Sequence, residues 1–193
     1  QGQFKGVFGE ARDRQVERLL LDGEGAVWAL DRDEKTVRSY DETGKPLAFS
    51  VNYLKIEWTA IDPSVQGDID FLNANLKGQW SVQSQSRDNT VWIVGNDPVA
   101  ASTNAQLYDR KAKTLTKLYD TRPDLADETL APMYGIEIKS RDGLTLPSLL
   151  TLPAGADTNG DGKPETPVPM VLNVHGGPWA QDTYGYDPEA QWL

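Results

Sequence analysis

The feature that most constrains the fold of this chain is a recurring unit of short apolar strands cut by turn chemistry. The same residue pair marks each copy: Val27-Trp28 and Val91-Trp92 stand 64 positions apart. In the first unit, residues Val16 to Leu21 are apolar-rich, Asp22-Gly23-Glu24-Gly25 supplies a turn, and Ala26 to Leu30 follows as a second strand. Arg32-Asp33-Glu34 leads into Thr36 to Tyr40, and Asp41-Glu42-Thr43-Gly44 turns the chain again. Alternating strand and turn signals at this density predict a four-strand meander with tight connections. The second unit runs from Trp80 to Ser84, through Ser86-Arg87-Asp88-Asn89, into Thr90 to Gly95. It continues with Ala105 to Asp109, a turn at Arg110-Lys111-Ala112-Lys113, and Thr114 to Tyr119. Propeller blades repeat at about 40 to 50 residues, so the spacing fits one blade carrying an insertion. Val91-Trp92-Ile93-Val94 is apolar without alternation, the pattern expected of an inner blade strand covered on both faces.

The insertion has its own signature. Asp62-Pro63 offers a side-chain cap followed by proline at the first helical position. Val65, Ile69, Leu72 and Leu76 then recur at helical spacing, which predicts a short amphipathic helix packed against the blade. Residues 120 to 135 are polar and punctuated by Pro123 and Pro132, as a linker should be. Beyond them Ile136 and Ile138 alternate with polar neighbours, Asp142-Gly143 marks a hairpin, and Leu144 to Leu152 returns as a strand. Pro147 within that strand calls for an edge position or a bulge. Met170 to Val174 reads as a compact apolar strand running straight into His175-Gly176-Gly177-Pro178.

That last junction carries chemistry. Acyl transfer develops negative charge on a carbonyl oxygen, and backbone N–H groups aimed at the oxygen stabilise it. Glycines let the backbone approach closely and adopt conformations denied to other residues. In α/β-hydrolases one donor comes from the loop after the third strand and the other from the residue after the nucleophile. Two antiparallel strands followed by an apolar strand is the order that places a His-Gly-Gly loop there.

Ser140-Arg141-Asp142-Gly143-Leu144-Thr145, Leu150-Thr151-Leu152-Pro153 and Val174-His175-Gly176-Gly177-Pro178-Trp179 resemble the start of the catalytic domain in prolyl oligopeptidase family serine peptidases. The acylaminoacyl and dipeptidyl peptidase branch is the most similar. Trp58-Thr59-Ala60-Ile61-Asp62-Pro63 and Leu107-Tyr108-Asp109-Arg110-Lys111 resemble the last propeller blades of that branch. The resemblance implies a mixed fold, with C-terminal blades of a β-propeller over residues 1–130 and the first strands of an α/β-hydrolase domain over residues 131–193. It also implies an oligopeptide substrate and an acyl-enzyme route. Within the loop it assigns the oxyanion-hole N–H to Gly177, the shaping of the turn to Gly176, and the ordering of the loop to His175.

The chain departs from that family in what it lacks. A working member needs a Ser in a G-x-S-x-G elbow, then an Asp, then a His, in that order. No Ser here stands in such an elbow, and His175 is the only His. A general-base role for His175 would need a nucleophile and an orienting carboxylate, neither of which the sequence places beside it. The chain is therefore expected to be a fragment, inactive alone, whose partner is the remainder of the same polypeptide or a complementary chain. Two competing readings are an esterase of the His-Gly-Gly type and a β-propeller binding module without catalysis.

Asp157-Thr158-Asn159-Gly160-Asp161-Gly162-Lys163-Pro164-Glu165 is the other motif. Oxygen ligands at alternate positions followed by Gly resemble the opening of a calcium loop, with Asp157, Asn159, Asp161 and Glu165 as ligands. The twelfth position is Val168 where a bidentate Glu belongs, so the EF-hand pattern is incomplete. The same letters serve any exposed turn. No cofactor is required by this reading, and a structural calcium is the one ion it raises.

Composition closes other routes. With no Cys in 193 residues there are no disulfides or thiolate metal sites, and a single His excludes a zinc site built from several imidazoles. A net charge of -10 without a basic cluster repels nucleic acid and anionic membrane surfaces. No apolar run approaches the length that crosses a bilayer. No leader pattern is present, and a start at Gln1 rather than Met places the first residues inside a longer parent sequence whose address they do not record; the expectation is a soluble protein of bacterial cytoplasm or periplasm.

Overall fold

The computed structural model of the chain describes residues 16–21, 27–31, 38–40, 46–177 and 180–193. These form small antiparallel sheets with few helices, and no closed barrel among the described residues. β1 (Val16–Leu21) pairs with β2 (Val27–Asp31) as a two-stranded sheet. β3 (Arg38–Tyr40), β4 (Pro46–Asn52) and β5 (Ile56–Ala60) form a second sheet in that order. The four-strand meander expected at the start is thus divided between two sheets. β3 is three residues long and its ladder runs to β4 with a register shift; among the described residues none joins it to β2. The turns expected at residues 22–25, 32–34 and 41–44 lie outside the described residues.

The second unit folds as its pattern predicts. β6 (Gln79–Gln85), β7 (Val91–Asp97), β8 (Asn104–Asp109) and β9 (Thr114–Asp120) make a four-stranded meander, each strand antiparallel to the next. Both Val-Trp pairs open the second strand of their sheets, at the start of β2 and of β7. The Ser86 hydroxyl closes the β6–β7 turn by accepting the N–H groups of Thr90 and Val91 at 3.1 and 3.0 Å. In β7 the burial alternates: Trp92, Val94 and Asn96 are buried, while Val91, Ile93 and Gly95 are half-buried. Within the described residues one face of this sheet meets the shared core and is closed, and the other is half-buried.

That core lies between the second and third sheets and beneath the inserted helix. The Asp62 side chain accepts the Ser64 N–H at 2.9 Å, a 3-10 turn follows over Pro63–Val65, and α1 runs Gln66–Asn75. Val65, Ile69 and Leu72 are buried, as the spacing predicts, together with Leu47, Ala48, Trp80, Trp92, Val94 and Tyr108. Trp58 of β5 stacks on Trp80 of β6 with centroids 4.9 Å apart, and its ring N–H donates to the Trp80 carbonyl at 3.1 Å. Trp80 in turn donates to Asn73 of α1 at 2.8 Å. Both indoles thus satisfy their one donor, Trp80 with its ring buried and Trp58 with its ring half-buried.

After a 3-10 turn at Pro123–Leu125, β10 (Met133–Lys139) and β11 (Thr145–Thr151) form the hairpin that Asp142-Gly143 forecasts. Gly143 holds φ +86°, a value that favours glycine, and Pro147 sits opposite Glu137 in a sheet of only two strands. The hairpin rests on the β4–β5 turn, where Gly135 lies so near Leu54 that an added Cβ would fall 2.9 Å from the Leu54 Cβ.

Met170 to Val174 is not a strand. The run has no ladder among the described residues, and Met170 and Leu172 are 81% and 80% exposed. Apolar character supplies one face of a strand, but its backbone needs a hydrogen-bonded neighbour, and none of the described residues provides one. The chain ends in a one-turn helix, α2 (Pro188–Trp192), capped by Asp187, which accepts from Glu189 N and Ala190 N at 2.8 and 2.9 Å. Among the described residues no helix is long and apolar enough to cross a membrane.

Candidate functional site

The His175-Gly176-Gly177 segment is an exposed bend. Gly177 adopts φ +89°, in the left-handed region where an L side chain would be strained. An ideal Cβ built on Gly176 meets nothing within 4 Å, so that side of the loop is open to an approaching group. The His175 ring Nδ1 lies 3.1 Å from the Gly176 carbonyl, a local contact that links ring and turn. Among the described residues no hydrogen bond or ion pair joins His175 to another side chain. Pro178 lies outside the described residues.

The 157–165 loop closes on itself. Asp157 accepts the N–H groups of Gly160 and Gly162 at 2.7 and 2.8 Å, and Asp161 N at 3.3 Å. Asn159 accepts from Asp161 N at 2.9 Å, and Asp161 accepts from Lys163 N at 2.9 Å. Glu165 takes the Thr158 hydroxyl at 2.6 Å. Partial desolvation pushes the Asp157 carboxyl up, but hydrogen bonds from the Tyr134 hydroxyl and from Gly162, Gly160 and Asp161 outweigh it and leave the group below its ordinary value. The four residues expected as calcium ligands are thus near one another in sequence, and each accepts a hydrogen bond from within the loop, Asp157 and Asn159 sharing the Asp161 N–H. No group of three or more His, Cys, Asp or Glu side chains among the described residues converges as a metal ion would require.

One polar cluster escaped the sequence reading. Asp68, in the first turn of α1, is 2% exposed and faces the third sheet. Its carboxylate accepts from the Tyr108 hydroxyl at 2.7 Å, from Arg110 Nε and Nη2 at 3.0 and 2.7 Å, and from Lys113 Nζ. Burial raises its pKa, but the hydrogen bonds from Arg110, Lys113 and Tyr108 prevail and hold it below the ordinary Asp value. Burial, then the bond to Asp68, pushes the Tyr108 hydroxyl well above its usual range. Arg110 also lies over the Trp92 ring, 4.6 Å from its centroid. Every member is paired, so the cluster clamps α1 to the β8–β9 turn and leaves no group to react. Acidic residues in a helix's first turn ordinarily face water, and the partners lie 40 to 45 positions away, so the sequence carried no local signal of it.

A shallow cavity of about 280 Å³ separates the β4–β5 turn from β10, lined by Val51, Tyr53, Leu54, Lys55, Glu57 and Gly135. It holds no His and no Ser.

Comparison with known proteins finds relatives that carry dipeptidyl peptidase names. The chain is 49% identical over 151 residues, 78% of its length, to dipeptidyl aminopeptidase BIII of Pseudoxanthomonas mexicana. It is 30% identical over 162 residues, 76% of its length, to dipeptidyl peptidase family member 6 of Caenorhabditis elegans. The matched region spans 22% of each of these relatives. No protein-family model matches the chain, and no solved structure does.

Proposed function

We propose that this chain is part of a serine peptidase of the prolyl oligopeptidase family that releases dipeptides from short peptides through an acyl-enzyme. Residues 1–130 then contribute blades of a β-propeller, and residues 131–193 contribute the first strands of an α/β-hydrolase domain. The observation that carries this reading is the 49% identity to a dipeptidyl aminopeptidase. The left-handed Gly177 beside the open face of Gly176 supports it, because that geometry suits a loop that presents backbone N–H groups to an oxyanion.

In the proposed reaction a serine hydroxyl from outside residues 1–193 attacks the scissile carbonyl and passes its proton to a histidine base. The C–O bond forms, the carbonyl oxygen becomes an oxyanion, and the Gly177 N–H donates to it. Collapse expels the amine, which takes the proton from the imidazolium, and water hydrolyses the acyl-enzyme by the same steps. His175 steadies the loop. The exposed 170–174 run becomes a strand of the hydrolase sheet once its neighbours are present.

A fluorophosphonate probe on the full-length protein tests this. The expected adduct is on a serine of a G-x-S-x-G elbow outside residues 1–193. An adduct on a serine within these residues, or none at all, would sink the proposal.

A further inference from the structure

The segment that follows the glycine loop is fastened to the β6–β9 sheet by a carboxylate at the end of β7. Asp97 accepts the Tyr186 N–H with both oxygens, at 3.0 and 2.9 Å, across 89 positions of sequence. The same side chain accepts the Val99 N–H at 2.8 Å. Gly185 is buried against it, so close that an added Cβ would lie 2.4 Å from Asp97 Oδ2. Cations flank the contact on both sides: Lys55 Nζ is 4.6 Å from the centroid of the Tyr184 ring, and the Arg122 guanidinium is 5.8 Å from that of Tyr186.

The backbone that presents Asp97 is strained. Val99 is a buried β-branched residue at φ +71°, a conformation such residues rarely adopt. On the other side Gly78, at φ +76°, packs so tightly that a Cβ there would sit 2.0 Å from the Asp97 carbonyl oxygen. Strain of this kind persists only where surrounding contacts over-determine the geometry. Here those contacts aim one carboxylate at one distant N–H. Tyr186 stands nine residues past Gly177 and directly before Asp187, which caps α2. Farther along, the Gln191 amide exchanges two hydrogen bonds with the Ala131 backbone, at 2.8 and 2.9 Å, so the stretch from Gly185 to Gln191 is held at both ends.

We infer that Asp97 is a positioning residue for the peptidase reaction: it ties the 184–186 strap to the sheet and thereby sets where the His175–Gly177 loop stands. This rests on the peptidase reading above. Asp97 touches no reacting atom, so its removal acts on loop placement and on kcat rather than on substrate affinity. A misplacement of about 1 Å costs about 100-fold in rate.

The test uses the full-length protein with Asp97→Ala and Asp97→Asn, assayed on a chromogenic dipeptide substrate, and hydrogen exchange at Tyr186 in the unmodified protein. The Ala variant should lose about 10- to 100-fold in kcat with KM little changed. The Asn variant, which keeps one acceptor oxygen, should recover most of that loss. Fluorophosphonate labelling of Asp97→Ala should reach completion but more slowly. The Tyr186 amide should be protected in the unmodified protein. Wild-type kcat in the Ala variant, a loss confined to KM, or an unprotected Tyr186 amide would each overturn the inference. Should Asp97→Ala fail to fold, Asp97→Asn and the exchange measurement decide it. An unmodified protein that neither labels nor turns over refutes the peptidase reading instead, and Tyr186 exchange still reports on the tether.

Discussion

Replacing Asp68 with Ala should loosen α1 more than any other single polar change in the described residues. The carboxylate takes four hydrogen bonds from three side chains: the Tyr108 hydroxyl, two Arg110 nitrogens and Lys113 Nζ. Removing one partner of a buried charge pair costs about 3 to 5 kcal/mol, because the other charge is left desolvated. Two features place this site at the lower end. Lys113 is 40% exposed and can return to water, and Arg110 keeps the Asn89 carbonyl at 2.6 Å and the face of Trp92. The fully buried Tyr108 hydroxyl bears the remaining loss. A cost of about 3 kcal/mol corresponds to about 150-fold in an opening equilibrium. Hydrogen exchange of full-length protein reads it directly, as a drop of about that factor in protection across α1 and the β8–β9 turn. Asp68→Asn, which keeps an acceptor, should lose less. Protection in Asp68→Ala within about threefold of the unmodified protein would refute the clamp.

Three further outcomes follow from the same geometry. Because the Asp68 carboxyl sits below its ordinary value when folded, its stabilisation is fully present above about pH 4 and is lost as pH falls through the folded value. The stability gap between the unmodified protein and Asp68→Asn, followed by thermal melting, should therefore be flat near neutrality and close in acid. Gly177→Ala forces a side chain into φ +89° and displaces the N–H, so kcat should fall about 10- to 100-fold with KM little altered; unchanged kcat would remove Gly177 from the oxyanion role. For the 157–165 loop, whose acceptors are already occupied by its own N–H groups, melting with calcium and with a chelator should coincide; a clear rise with calcium would show that the loop reorganises around the ion.

Local signals were legible in the sequence. The Asp62-Pro63 cap and the Val65, Ile69, Leu72 spacing give α1, and turn residues give the β6–β9 meander and the Asp142-Gly143 hairpin, because each depends on neighbours a few positions away. Contacts between distant segments were not. Nothing in the letters around Asp68 announces Tyr108, Arg110 and Lys113, and nothing around Asp97 announces Tyr186. The 170–174 run shows the complementary limit: an apolar pattern states what a segment would bury, but pairing depends on strands that the pattern does not contain. Of the glycine loop, residue identity was readable, while the left-handed turn at Gly177 is a property of the folded backbone that the letters do not state.

The most direct measurement is product analysis. Full-length protein incubated with a tetrapeptide bearing a free α-amino group should release its N-terminal dipeptide first, as seen by mass spectrometry, and pretreatment with a fluorophosphonate should abolish that release. Release of single residues, cleavage that survives the probe, or no cleavage would contradict a dipeptide-releasing serine peptidase.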